Sequence, residues 1–390
     1  MERKYAPLVI TDFVVGRGSL DYLGTFEKRR VSVIHGGPNV LSDVTRFRIE
    51  SLISGSGGTC MFASPVLREP FLSDIQSIGK EIEEYQPDMI VALGGGAVMD
   101  TAKVVQMFYE NPGISVEALV KPYQIPDLGK KAILVAIPTT SGTGSETTSA
   151  AVFTDDETKE KRLMLGNGLI PPYAILDADF TDSLPASIAG YTGIDALTHA
   201  MEAAVCTIAS PMVKSMAINA AVDLFENLEN SVSSVVAPDV KAEARERCHI
   251  AASMAGVAIT NSCTGLAHGL DQPGPHFGVP HGQTCGLLLP FTLAFTGIHP
   301  SYVTIAKRLG LKGKDDTEFC QALIKRIDAL IASVGNPKSF SDFGISEAEY
   351  MGKLDYFAQL AAPAMATKLA PRIPTIEETK EILVAAYYAY

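Results

Sequence analysis

Asp195 and His199 stand four residues apart in the run Gly193-Ile194-Asp195-Ala196-Leu197-Thr198-His199-Ala200-Met201-Glu202, whose character is strongly helical. On a helix this spacing puts both side chains on one face, where a carboxylate oxygen and an imidazole nitrogen can grip one cation. Alone, such a pair is more often a surface or capping pair. Two more histidines, His268 in Gly265-Leu266-Ala267-His268-Gly269 and His281 in Val279-Pro280-His281-Gly282, sit in apolar, glycine-flanked settings that indicate partial burial. Either one alone would ordinarily be a hydrogen-bonded core histidine. Taken together as four donors, three imidazoles and a carboxylate suit Fe²⁺ or Zn²⁺ far better than the oxygen-seeking Mg²⁺ or Ca²⁺. Of the other histidines, His35, His249, His276 and His299, His276 lies five residues before His281 and is held as a second-tier site residue.

Two loops could hold phosphate. Leu93-Gly94-Gly95-Gly96-Ala97-Val98-Met99-Asp100 follows an apolar strand and opens a helical stretch, Thr101–Tyr109. Glycines remove the β-carbons, so backbone N–H groups can approach a phosphate where the helix dipole also favours negative charge. A tight strand-to-helix turn without ligand has the same composition. Pro138-Thr139-Thr140-Ser141-Gly142-Thr143-Gly144-Ser145-Glu146 also follows an apolar strand, and its hydroxyls suit pyrophosphate and ribose, although a solvated Ser/Thr/Gly loop is the plainer reading. Two such loops at adjacent strand ends favour a dinucleotide. Neither is a GxGxxG or Walker sequence, which disfavours ATP hydrolysis.

These residues need elements to carry them. Val31–Ile34, Met89–Leu93, Ala132–Ile137 and Ala174–Leu176 read as buried strands with helix-like segments between several of them, a rhythm that implies a parallel sheet with helices on both faces. Beyond Leu184-Pro185 the β-branched runs thin out, and Pro185–Cys206, Pro211–Asn230 and Val240–Ile259 carry apolar residues at helical spacing. Ser231–Ser234 with Pro238 reads as a polar connection between helices. The expected organisation is an α/β dinucleotide-binding domain over 1–185 and a helical metal-binding domain over 186–390, with a ligand cleft between them.

A chain of 390 residues fits two domains, and its 47 % apolar and 19 % charged residues are those of a folded globular protein. The net charge of -12, with no Lys/Arg block, disfavours nucleic-acid and anionic-membrane partners. Met1 to Lys4 is charged and leads into only a short apolar run, so neither a signal peptide nor a spanning helix is expected, and the protein reads as cytoplasmic. The cysteines Cys60, Cys206, Cys248, Cys263, Cys285 and Cys320 form no CxxC pair and read as reduced and mostly buried.

With these motifs in hand, the chain resembles the iron-containing (group III) alcohol dehydrogenases, relatives of lactaldehyde reductase and 1,3-propanediol dehydrogenase. The resemblance runs nearly end to end, through Gly16-Arg17-Gly18-Ser19, Gly94 to Lys103, Pro138 to Glu146, Gly193 to Glu202, Pro280-His281-Gly282 and Ala370-Pro371-Arg372. It implies the dehydroquinate synthase-like fold, with an N-terminal α/β dinucleotide-binding domain and an all-α C-terminal domain. It also implies a metal held by Asp195, His199, His268 and His281, an NAD(P)H cofactor, a small alcohol, aldehyde or ketone as substrate, and a homodimer. The cofactor residues fall on Gly94, Gly95, Gly96, Ala97 and Asp100, on Thr139, Thr140 and Thr143, and on Lys161 near the ribose.

Three positions depart from the family pattern. The interval from His268 to His281 is one residue shorter than usual. Gln272 stands where many members carry a further histidine and cannot shuttle a proton at neutral pH, leaving that role to His276 or a water chain. At the end of the Val31–Ile34 strand, where NAD-preferring members place an aspartate against the ribose 2′-hydroxyl, this chain reads His35-Gly36-Gly37. A metal- and NAD-dependent lyase or synthase on the same fold, or an inactive nucleotide-binding homologue, would share most of these features. A synthase should gather basic residues around a polyanionic substrate, whereas the metal segments here are mostly apolar. Because no carboxylate at residues 35–37 repels a 2′-phosphate, NADPH should be turned over, and initial rates with NADH and NADPH measure this. Turnover of NADH with none of NADPH would contradict it.

Overall fold

The computed structural model describes residues 6–27 and 29–389. The Met1–Lys4 stretch, on which the reading of no signal peptide rests, lies outside the described residues. The chain divides into two compact units, with one boundary between Leu184 and Pro185 and another between Leu8 and Val9, so residues 6–8 group with the C-terminal unit and not, as expected, with the α/β domain.

In the first unit, six strands form a parallel sheet in the order β1-β8-β5-β4-β2-β3. They are β1 (Asp12–Val15), β2 (Arg30–His35), β3 (Thr59–Phe62), β4 (Met89–Gly94), β5 (Ile133–Pro138) and β8 (Tyr173–Leu176). Both faces are covered, so the central strands are apolar without alternation. In β4, Ile90 and Ala92 enter one core while Met89, Val91 and Leu93 enter the other. The expected strands coincide with β2, β4, β5 and β8. The short strands β1 and β3 carry too few buried residues to stand out in the sequence, and the antiparallel hairpin of β6 (Ala150–Thr154) and β7 (Lys161–Leu165) lies outside the sheet.

The register of β4 and β5 pairs Gly94 with Pro138 and so sets the two Gly/Thr loops side by side. One buried cation ties the second loop down. Lys103, on the helix Gly96–Glu110, donates from Nζ to Ser145 Oγ (3.0 Å), to the Thr148 carbonyl and hydroxyl (3.0 and 3.1 Å) and to the Ala150 carbonyl (2.8 Å). Burial lowers its pKa to about 8 despite the charges of Asp100 and Glu146.

The second unit is helical. Ala186–Val205, Pro211–Val232 and Pro238–Thr260 match the expected helices to within about a turn. The helix Ala186–Val205 is buried without interruption from Gly193 to Val205, as an apolar helix surrounded by others must be. Its Leu197 and Met201 pack among Leu224, Phe225 and Leu228 of the next helix and Leu323 and Ile327 of Asp316–Ser333. Ser210 caps Pro211–Val232 with Pro211 in its first turn; that helix runs on through Ser231 and Val232, so the polar connection begins at Ser233. All six cysteines are free, and no helix among the described residues is long and apolar enough to cross a membrane.

Lys103→Met would keep the volume of the stem but strand several buried acceptors. Equilibrium urea unfolding should show a loss on the order of 2–4 kcal/mol, and an unchanged midpoint would remove Lys103 from its anchoring role.

Candidate metal centre and cofactor loops

Asp195, His199 and Glu202 follow one another at intervals of four and three residues on the helix Ala186–Val205 and share its buried face. His268 comes from the short helix Leu266–Gly269, and His281 opens the helix His281–Thr296. Two glycines let that last helix come close. A β-carbon on Gly282 would stand 2.7 Å from the Tyr191 carbonyl oxygen, and one on Gly286 would stand 2.1 Å from Ile194 Cγ2. Gly265 has the same part before His268, where a β-carbon would crowd the Glu202 side chain at 3.1 Å.

The outcome is convergence on a single oxygen. The Nε2 atoms of His199, His268 and His281 stand 4.0, 3.7 and 3.9 Å from Asp195 Oδ1. Donors bonded tetrahedrally to one zinc-sized ion stand roughly 3.4 Å apart, so modest inward movement would bring all four to one centre. Asp195 Oδ1, His268 Nε2 and His199 Nδ1 are buried without a hydrogen-bond partner among the described residues. A buried polar atom left unpaired costs about 1–3 kcal/mol, and here a shared cation would satisfy Asp195 Oδ1 and His268 Nε2 together. These residues therefore fit a divalent metal.

Two carboxylates brace the rings. Glu202 Oε2 lies 2.6 Å from His268 Nδ1, while its Oε1 accepts the Ala267 and His268 N–H groups at 2.6 and 3.3 Å. Asp271 Oδ2 lies 3.0 Å from His281 Nδ1. In each case the carboxylate holds Nδ1 as the protonated nitrogen and leaves the Nε2 lone pair for a ligand. Burial alone would raise the Asp195 carboxyl, but His199, His268 and His281 outweigh it and hold it well below the usual carboxylate range. Burial lowers His199 to about 4, with His268 and His281 adding to the effect and Asp195 opposing it, so this imidazole is neutral at neutral pH. The site is closed around Asp195, His199 and His268 and opens at His281, whose side chain is 41 % exposed.

His276 is not among the donor groups that converge here. The five-residue helix Pro273–Phe277 carries the exposed His276 ring against Phe277 and Phe357, with centroids 4.7 and 5.3 Å away. Gln272 makes a long 3.5 Å contact from its amide nitrogen to Asp271. Three residues at the site were missed in the sequence. Glu202 repeats the Asp195 face seven residues on, and Cys285 stands four residues after His281 on one helix; the spacing that singled out Asp195 and His199 could have found both. Asp271 lies in a turn and carried no such signal.

In the other unit, the helix Gly96–Glu110 starts at Gly95, whose carbonyl accepts the N–H groups of Val98 and Met99 at 3.0 and 3.1 Å. The N–H groups of Gly96 and Ala97 precede any acceptor within the helix and are the natural phosphate donors. The glycines here are set by contact. A β-carbon on Gly94 would fall 2.4 Å from Val98 Cγ2, and one on Gly96 would fall 2.8 Å from Thr143 Cγ2. Thr140 lies against Gly95, while the Thr139 N–H donates to the Gly94 carbonyl at 3.0 Å. Asp100 sits behind the loops, where its Oδ1 accepts Ser145 Oγ at 2.7 Å and its Oδ2 accepts the Val152 N–H at 2.9 Å, so its carboxylate is engaged within the protein. Lys161 begins β7 and pairs with Glu69 at 3.1 Å. His35 ends β2 beside Leu93 of β4, and its Nδ1 accepts the Gly37 N–H at 3.1 Å.

Replacing a brace should weaken the metal without removing a ligand. Glu202→Gln or Asp271→Asn should lower metal affinity about 10–100-fold in chelator competition while far-ultraviolet circular dichroism stays unchanged. Unaltered affinity in both would show that the rings need no bracing.

Comparison with known proteins covers most of the chain. The profile described as "Iron-containing alcohol dehydrogenase" matches residues 11–178, and that described as "Fe-containing alcohol dehydrogenase family, C-terminal" matches residues 189–387. An alcohol dehydrogenase of Thermococcus barophilus is 34 % identical, covering 97 % of this chain and 98 % of that protein. An NADPH-dependent butanol dehydrogenase of Clostridium saccharobutylicum is 30 % identical over 97 % of this chain and 96 % of its own. The structure of an iron-containing alcohol dehydrogenase from Thermococcus thioreducens superposes with a TM-score of 0.87 at 28 % identity, covering 97 % of this chain and 99 % of that one. The chain belongs to the iron-containing alcohol dehydrogenase family.

Proposed function

We propose that the protein is a metal-dependent, NAD(P)-linked alcohol dehydrogenase or aldehyde reductase acting on a small alcohol, aldehyde or ketone. The observation that carries this reading is the convergence of three imidazole Nε2 atoms on Asp195 Oδ1, with His268 and His281 each braced by a carboxylate.

Asp195, His199, His268 and His281 would hold the ion, Fe²⁺ or Zn²⁺ by the nature of the donors. When bound, the metal supplies Lewis-acid polarisation of the substrate oxygen, and the nicotinamide supplies or accepts the hydride. The chain's own work is orientation and charge. Glu202 and Asp271 fix the two imidazoles, Asp195 contributes the negative charge that keeps the ion in place, and the opening at His281 leaves room for a substrate and for proton exchange with solvent. The amides of Gly96 and Ala97 would take the pyrophosphate, with Gly94 and Gly95 shaping the turn, while Thr139, Thr140 and Thr143 would line the neighbouring loop and Lys161 would serve the ribose. Asp100 acts as a positioning residue for that loop through Ser145 and Val152.

The test is removal and return of the metal. Chelated protein should lose turnover of short aldehydes and ketones and regain it with Fe²⁺ or Zn²⁺, followed as NADPH or NADH absorbance. His268→Ala should lose bound metal and activity together, by more than the roughly 100-fold that loss of a bracing partner brings. Metal-free turnover, or activity retained in that variant, would overturn the reading.

A further inference from the structure

One side chain at the metal cluster has no part in the mechanism above. Cys285 is buried one turn after His281 on the same helix, and one donor atom each from Asp195, His268, His281 and Cys285 lie within 4.8 Å of one another. Its Sγ is 3.8 Å from both ring nitrogens of His281, so the sulfur flanks the ring and is not aimed at a single N–H group. At that range a thiol makes only a weak hydrogen bond, and the sulfur already faces the His281 imidazole. Two nearly closed side chains, Asp195 and His268, meet the same space with Oδ1 and Nε2 atoms that have no partner among the described residues.

We propose that Cys285 is a sulfur donor to the bound metal ion, so that Asp195, His268 and His281 are shared by two overlapping ligand sets, one completed by His199 and the other by Cys285. The proposal rests on the assignment of a metal to this cluster. Ligation breaks the S–H bond, releases the proton to solvent and forms a sulfur–metal bond, with no change in oxidation state. The chemistry follows from the donors. A thiolate is soft, so adding it to two imidazoles and a carboxylate moves the site towards Zn²⁺ and away from metals that prefer hard oxygen. Placement follows from the packing, because the close approach allowed at Gly282 and Gly286 brings the intervening turn with Cys285 against the helix of Asp195.

Cobalt(II) is the probe, added to the full-length, metal-stripped protein under anaerobic conditions. Bound cobalt should give visible ligand-field bands and, in addition, an intense near-ultraviolet thiolate-to-cobalt charge-transfer band. In Cys285→Ser the charge-transfer band should vanish while the ligand-field bands remain, and zinc affinity measured by chelator competition should fall relative to that for Fe²⁺. Ligand-field bands without charge transfer in the unaltered protein, or charge transfer that persists in Cys285→Ser, would overturn the proposal and leave the Asp/His site standing. Failure of the unaltered protein to take up cobalt would overturn both.

Discussion

A carboxylate held deep among apolar helices is the constraint around which the helical unit is organised. Asp195 is 3 % exposed, with Ile194, Ala196 and Leu197 beside it wholly inside the core. An ionised group in such surroundings carries a desolvation penalty of several kcal/mol unless opposite charge or strong donors meet it. No lysine or arginine is among the groups that hold its pKa down; three imidazoles are. Imidazoles can share the site with a cation as neutral ligands, whereas an ammonium or guanidinium would exclude one. The choice of partner for a buried charge thus already separates a candidate metal centre from a structural ion pair.

The contrast with Lys103 makes the same point from the other side. That ammonium is equally buried, yet its four hydrogen bonds all go to Ser145, Thr148 and Ala150, and nothing is left over for a ligand. Asp100 nearby is satisfied in the same way. Both charges shape the loop after β5. At the candidate metal cluster the account does not close among the described residues, since Asp195 Oδ1 and His268 Nε2 are buried there without a hydrogen-bond partner. What marks the cluster is that these two atoms face each other at 3.7 Å.

Close backbone approach supplies the geometry in both units. Gly94 and Gly96 let the two loops of the sheet unit touch, and Gly265, Gly282 and Gly286 let two segments crowd the helix of Asp195. Because interiors are close-packed, a single β-carbon at any of these contacts would move a candidate metal ligand or a candidate phosphate donor by a substantial part of an ångström.

Much of this could be read from residue order alone, because two periodicities carry it. Unbroken apolar runs marked β2, β4, β5 and β8, and the helical period marked the three long helices with Asp195 and His199 on one face. Local pattern is imposed by the chain's own pitch and pleat, so it survives without tertiary knowledge. What escaped depends on contacts between segments far apart in sequence. The pairing of Glu202 with His268 spans sixty-six residues, Asp271 becomes a brace only when its turn meets His281, and Cys285 joins the cluster only when its helix slides close over glycine. His276, near His281 in sequence, is carried off by a short helix into an aromatic group instead. Residue types and spacing determined which side chains were able to bind a metal; packing decided which of them meet, since distance between segments is set by side-chain volume and helix approach rather than by position along the chain.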